Sequence, residues 1–455
     1  MVRKLTFILL LVSLSSASHA QSVVDILRSD RVQTVQSDLG LIRKLTGNVS
    51  LRSKNVQIEA DSAWHFLDLE EVTAYGNLII TTESEKIYAD SLRYDITQEI
   101  STLSGNVIIS NATTAIYSQS ALYSFLTEIA LFNDPLWLQD TSGVMQAQSG
   151  VYFNLNDSVA FYGNVQLADS TQYIEADSLF SSRPSKTYAL YGNVIINSTE
   201  DMTNISGDYV YADSTGKRII SGNSRLMRMN EDASDTTWLS ARYIEVNRID
   251  TLNAIEAYGQ VESVQKDNSA RSDTLFYSEA TGVFNLISTP LVWYKNIQLS
   301  GDTIDVYTEN DSLRSLWAID NTFVVQQDST TQRLHQMSGD SLRVLFNEGN
   351  VDLIENYGAS EVLLHYMDDQ DQPDGALTFT SSGLIMYFED GEVADVTALS
   401  DIDGETLPET PSLPSIELEG FKWNPDQRPV RWDLLLRPRL SPIPMNPPFI
   451  RSNYP

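Results

Sequence analysis

Ala60-Asp61-Ser62, then Ala74-Tyr75-Gly76-Asn77-Leu78-Ile79-Ile80, then Ala89-Asp90-Ser91-Leu92-Arg93-Tyr94: this stretch holds the two markers that decide the fold. The Gly-Asn marker stands at Gly47-Asn48-Val49, Gly76-Asn77-Leu78, Gly105-Asn106-Val107, Gly163-Asn164-Val165 and Gly192-Asn193-Val194, at intervals of 29, 29, 58 and 29 residues. The doubled interval leaves room for a degenerate copy at Asn133-Asp134-Pro135, ahead of Leu136-Trp137-Leu138. Later copies drift to Gly222-Asn223-Ser224, Gly259-Gln260-Val261 and Gly349-Asn350-Val351. The Ala-Asp marker keeps the same beat, with Ala60-Asp61-Ser62, Ala89-Asp90-Ser91 and Ala176-Asp177-Ser178 spaced by 29 and 87 residues. Two markers on one period identify a repeat protein.

Each unit reads as short strands. After Gly-Asn the apolar residues alternate: Val49 and Leu51, Leu78 and Ile80, Val107 and Ile109, Leu136 and Leu138, Val165 and Leu167, Val194 and Ile196. Period two marks a strand with one apolar face. Gly-Asn suits a tight turn or bulge, because both residues tolerate positive φ. The aspartates are expected to bond backbone amides at strand corners. No long amphipathic helical pattern follows residue 20. Strands this short cannot bury their apolar faces singly, so neighbours must stack, at about 4.8 Å per strand. The expected fold is all-β, and Phe388-Glu389-Asp390-Gly391-Glu392-Val393 reads as its last hairpin.

Composition narrows the function. Sixty-one acidic residues against 30 basic ones leave a net charge of −31, which excludes the basic stripe a nucleic-acid binder needs. Zero cysteines remove disulfides, thiolate metal sites and cysteine nucleophiles together. Arg3 and Lys4, the apolar run Leu5 to Leu14, and Ser18-His19-Ala20 before Gln21 read as a secretory leader over residues 1–20. That apolar run is shorter than the about 20 residues a membrane span requires. The expectation is an exported chain that is not an integral membrane protein.

The unit Ala-Asp-Ser-Leu-x-Tyr with Ala-x-Gly-Asn-Val-x-Ile, seen at Ala89–Tyr94 and Ala74–Ile80, resembles the repeat of the OstA-like/LptA family of lipopolysaccharide transport. The opening Ile26-Leu27-Arg28-Ser29-Asp30, followed by Leu45-Thr46-Gly47-Asn48-Val49, is similar to the start of such proteins, and the resemblance covers most of residues 25–400. It implies an elongated β-jellyroll: antiparallel strands stacked like a solenoid into an open, V-shaped trough with an apolar interior. It also implies a periplasmic protein that shelters lipopolysaccharide acyl chains and meets other transport proteins of the inner- and outer-membrane complexes end to end, through sheet edges. On that reading the trough is lined by Val49, Leu51, Leu78, Ile80, Val107, Ile109, Leu136, Leu138, Val165, Leu167, Val194 and Ile196. No catalytic residue, cofactor or metal is implied. Compared with the compact family form this chain has more repeats. Its tail of about 50 residues is too short for the membrane barrel that follows this domain in LptD.

The sequence divides into the leader 1–20, a repeat body 21–404 with room for two or more consecutive jellyroll segments, and a proline-rich tail 405–455. Prolines are sparse in the body (Pro135, Pro184, Pro290, Pro373) and crowd the tail, which also carries Lys422, Arg428, Arg431, Arg437, Arg439 and Arg451. Such a segment is extended or polyproline-like. With Phe421, Trp423 and Trp432 it could dock on a partner, fold back on the acidic body or stay loosely ordered. Two rival functions stand beside transport. A structural or adhesive scaffold would use the same apolar alternation as a plain sheet core. A polysaccharide-acting β-solenoid enzyme, or a Ca²⁺ site, would use Asp61, Asp90, Asp177, Asp208, Asp273, Asp302 and Asp340 as a carboxylate ladder. One Asp per unit fits a turn device better. His65, His335 and His365 are isolated, with no His-x-x-x-His or Gly-x-Ser-x-Gly signature.

Overall fold

The protein is described by a computed structural model over residues 24–200, 202–229, 235–249, 252–266, 268–309, 312–370, 372–389, 392–431 and 440–454. The leader expected at 1–20 lies outside these residues, as do Trp432, Arg437 and Arg439 of the tail and Asp390-Gly391 of the hairpin at 388–393. Among the described residues there are thirty strands, three short 3-10 turns and no α-helix. The chain divides into two compact units: residues 1–128 with 449–455, and residues 129–448.

In the first unit the 29-residue period is one hairpin. Strand Glu71–Thr81 pairs antiparallel with Lys86–Asp95, and the next equivalent strand starts at Ile100, 29 residues after Glu71. The ladders of the long strands are interrupted near their middle. Between the pairs Ser62↔Tyr75 and Glu59↔Ile79 the strand carrying Gly76-Asn77 has one residue more than its neighbour. This bulge places Gly76 at φ +76° and Asn77 at φ +43° and bends the strand. Asp61 on the shorter strand sits against the bulge, and Asn77 Nδ2 donates to its Oδ2 at 2.9 Å. The same pair recurs as Asn106 to Asp90 (3.4 Å), Asn193 to Asp177 (2.8 Å) and Asn223 to Asp208 (3.1 Å). The corner aspartates therefore take a side-chain amide where a backbone amide was expected, because the bulge turns the Asn side chain onto the neighbouring strand. Glycine is required beside them: a Cβ on Gly105 would stand 2.3 Å from Asp90 Oδ2.

The corner splits each strand into two arms, and the arms face one another. In the second unit, Leu316 and Val324 lie on either side of the bulge at Asp320-Asn321 yet line one common void. Stacking such bent hairpins gives the antiparallel β-jellyroll expected from the repeats.

The second unit keeps the device but varies it. The degenerate copy at Asn133-Asp134-Pro135 is a break between strands Ile129–Phe132 and Leu136–Asp140, since Pro135 has no N–H for the ladder. A second break surrounds Pro290, between Val283–Ile287 and Leu291–Tyr294. Strands Thr236–Ile249 and Leu252–Gln265 grow to 14 residues each. The hairpin at 388–393 is not the end of the sheet, because Asp403–Pro408 returns to pair with Pro373–Glu389.

Candidate functional site

Between the arms the apolar residues of successive strands meet directly. In the first unit Leu51, Ile58, Ile80, Ile87, Ile109 and Ile116 are each paired with the next, and none is more than 1% exposed. In the second unit the row runs Leu167, Ile174, Ile196, Ile205, Leu226 and Leu239. It then passes through Ser263 and Ala270 and resumes at Val292, Leu299, Val324 and Met337. Ser263 and Ala270 are half-buried between fully buried neighbours, so the row is least filled there. Of the twelve residues read as trough-lining, eleven are buried and Leu167 is half-buried. Each fully buried side chain of this size contributes about 1.5–3 kcal/mol, so the row is also the core.

Opposite the corners lies the mouth, where the turns ending the two arms approach each other. Sequence reasoning missed this part. In the first unit the Lys54 ammonium pairs with Glu99 across it, Ser84 Oγ donates to Glu128 at 3.2 Å, and the Tyr123 hydroxyl donates to Glu85. In the second, Arg183 joins Asp140 at 3.1 Å and Asp157 at 2.8 Å, Tyr294 donates to the Gly349 carbonyl, and Lys295 donates to Asn350 at 2.7 Å. Polar latches therefore close both mouths.

One latch, and one pair of adjacent strands in the second unit, carry titratable groups in unusual surroundings. Glu85 is 3% exposed, and its Oε1 has no hydrogen-bond partner among the described residues. Burial pushes its carboxyl up to about 7; the Tyr123 hydroxyl opposes that shift and the Glu128 charge adds to it. At the far lip of the second unit the His365 backbone N–H donates to His335 Nδ1 at 3.2 Å. Burial holds both imidazoles below the usual histidine range, with His335 adding to the effect on His365, which is lowered to about 4.

Around Leu299 and Met337 the interior of the second unit is closely packed. Voids between the arms of the second unit measure about 10 Å³ beside Leu299 and Val324 and about 20 Å³ beside His335 and Met337. That is roughly the room of a single water, so at these two places an acyl chain enters only if the arms part. Among the described residues no group of three or more His, Asp or Glu side chains converges on a metal position. Nor is any helix there long and apolar enough to cross a membrane.

A bent-hairpin β-jellyroll with this corner motif agrees with two family matches. The model for an "OstA-like protein" matches residues 21–177, and that for an "LptA/(LptD N-terminal domain) LPS transport protein" matches residues 173–312. The chain belongs to the OstA-like lipopolysaccharide-transport family. No curated protein matches it. The first OstA-like match extends through the break at Pro135, and the second through the least filled part of the interior at Ser263 and Ala270.

Proposed function

We propose that this OstA-like chain works in the periplasm without catalysis, sheltering the acyl chains of lipopolysaccharide between its arms after the mouth latches release. It would hand the lipid to, and receive it from, other transport proteins docked at free sheet edges. The observation carrying the reading is the division of labour between arms and mouth. The arms present rows of Leu, Ile and Val, while the contacts across the mouth are polar. A buried methylene is worth about 0.8 kcal/mol, so an opened row of this kind holds a fatty chain without any tight step. Releasing the Lys54–Glu99 pair, whose lysine is exposed, costs little, typically below about 1 kcal/mol. The buried Tyr123–Glu85 bond holds more firmly, and opening a corner would break backbone pairing.

The packed interior favours a second reading, a scaffold whose arms never part. One experiment separates the two. A photo-crosslinking residue placed at Val107 or Ile196 in cells should capture lipopolysaccharide. Cysteines at Lys54 and Glu99, oxidised in this cysteine-free chain, should abolish capture at Val107. Absence of adducts at both probes in the unlocked chain would leave the scaffold standing.

A further inference from the structure

The face of the after-corner arms that points away from the interior is also organised. In the second unit Val264, Ser269, Trp293, Gln298, Val325 and Gln336 form one cross-strand row by register, and all six are buried. The C-terminal segment lies on Ser269, Gln298, Val325 and Gln336 of this row. Gln336 Nε2 donates to the Ile416 carbonyl at 2.9 Å, and its Oε1 accepts from the Leu418 N–H at 2.9 Å. Gln298 does the same one step along, donating to the Lys422 carbonyl at 2.7 Å and accepting from the Asn424 N–H at 2.8 Å. Each amide thus bridges a carbonyl and the N–H two residues later, the pair an extended strand offers to a neighbour. Leu413 and Leu418 fill apolar seats formed with Phe323, Val325 and Leu363.

Nearer the start of the unit the pattern repeats in a different form. Gln166 Nε2 donates to the Ser441 carbonyl at 2.7 Å, and the Leu440 N–H donates to Glu175 at 2.9 Å. Charge adds to the fit: Arg428 reaches the Lys295 carbonyl at 2.6 Å and Arg431 pairs with Asp235 at 3.2 Å. A buried glutamine left unpaired is costly, so side chains 1% and 3% exposed that match backbone so closely constitute a built reader.

We propose that this face is a peptide-binding site of the backbone-reading kind, selective for a proline-containing segment whose open stretches at 416–418 and 422–424 alternate with turns, and that residues 413–431 are its resident ligand. The reader recognises main chain and two leucine-sized anchors. The site therefore also takes the equivalent segment of a second copy once the resident one is released. This is independent of what the interior holds.

The test nicks the full chain at a protease site inserted between Glu409 and Thr410, both exposed. The cut segment stays tethered through Arg451 and Tyr454 at the first unit, and excess labelled peptide spanning 410–431 should displace its resident counterpart and fill the site saturably. A peptide N-methylated at Leu418 and Asn424 loses only the two N–H groups the glutamines accept, and should bind at least about tenfold more weakly. The Gln298→Ala/Gln336→Ala chain should bind both peptides alike. Equal binding of the methylated peptide to the unmutated body would overturn the proposal. So would failure of the labelled peptide to displace the resident segment from a folded body. Unfolding on nicking would overturn it as well, since the segment would then be core and not ligand.

Discussion

The two units are built on the same corner but differ in everything beyond it. In the first, strands Glu71–Thr81, Lys86–Asp95, Ile100–Ser110 and Thr114–Ser124 keep to 10 or 11 residues. In the second, strands break at Pro135 and Pro290 or stretch to as many as 18 residues, against 14 at the longest in the first. The added length goes to the lips, while Gly222-Asn223 still meets Asp208 at its corner. Register in a strand has a period of two, so a slip at the corner would turn every interior residue outward. A longer lip alters only the mouth. The corner therefore fixes the fold, and the mouth is where the units are free to diverge.

The divergence is chemical, and pH should expose it most strongly. Glu85 at the first mouth has its folded pKa raised from 4.5 to about 7. Its contribution to stability is thus complete below about pH 4.5 and is lost as pH rises through about 7. His365 in the second unit is lowered from 6.5 to about 4. Its contribution is complete above about pH 6.5 and is lost as pH falls toward 4. Acidification should stabilise the first unit at its mouth, by up to about 3 kcal/mol, and destabilise the second around its paired strands Leu334–Asn347 and Asn350–Met367 by less, because His365 is only half-buried. Hydrogen exchange followed by mass spectrometry at pH 5 and 8 reads each unit separately. Glu85→Gln should flatten the response of residues 82–128 alone. A parallel response of both units would break the comparison.

The tail offers a second way to separate them. Its last residues belong to the first unit, where Phe449 and Tyr454 pack on Tyr117 and Tyr454 also on Tyr88. Arg451 enters the corner at Gly105, donating to Asp90 at 2.8 Å and to the carbonyls of Ala89, Gly105 and Asn106 at 2.7–3.3 Å. Its side chain is 8% exposed. Arg451→Ala should cost the first unit about 2–3 kcal/mol, seen as faster exchange over residues 86–110 with the second unit unchanged.

Much of this was legible beforehand, for a physical reason. A corner must recur in every hairpin, so Gly-Asn and Ala-Asp repeat in the sequence and announce both fold and interior face. The partner of the corner aspartate was harder to read, since a positive-φ bulge and a plain turn use the same residue types. The mouth latches join turn residues as far apart as Lys295 and Asn350, 55 residues. Their acidic members Glu99, Glu128 and Asp157 keep the 29-residue period, but the residues they meet, Lys54, Ser84 and Arg183, differ in kind and so form no visible motif. The tail's seat was hidden more deeply. Gln298 and Gln336 look like ordinary outward polar positions until a segment 80 to 124 residues later covers them. The proline run suggests an extended or polyproline-like tail; the fold instead puts 3-10 turns at Leu413–Ser415 and Pro425–Gln427 and shows where the segment goes.

Two smaller substitutions test how far the corners are equivalent. Gly105 and Gly163 have similar positive φ, +80° and +75°, so Ala costs each about 1 kcal/mol in backbone strain. The surroundings differ. At Gly105 the new Cβ meets the short Asp90 carboxylate at 2.3 Å, whereas at Gly163 it meets the longer, flexible Gln148 at 2.8 Å. Gly105→Ala should cost about 2 kcal/mol and Gly163→Ala about 1, measured as a local exchange difference around each corner.

Asn77→Ala and Asn193→Ala should have the smallest effects, about 1 kcal/mol each, and the same in both units. Each loses one exposed bond to its aspartate, at 2.9 and 2.8 Å, and puts Ala at a φ of +43° or +49° that asparagine tolerates better. Glycine at the same position restores the backbone but not the bond, so Asn77→Gly should recover about half the loss. If the two alanine variants differed clearly, the corner would not be a common device, and the contrast between the units would reach down to the fold itself.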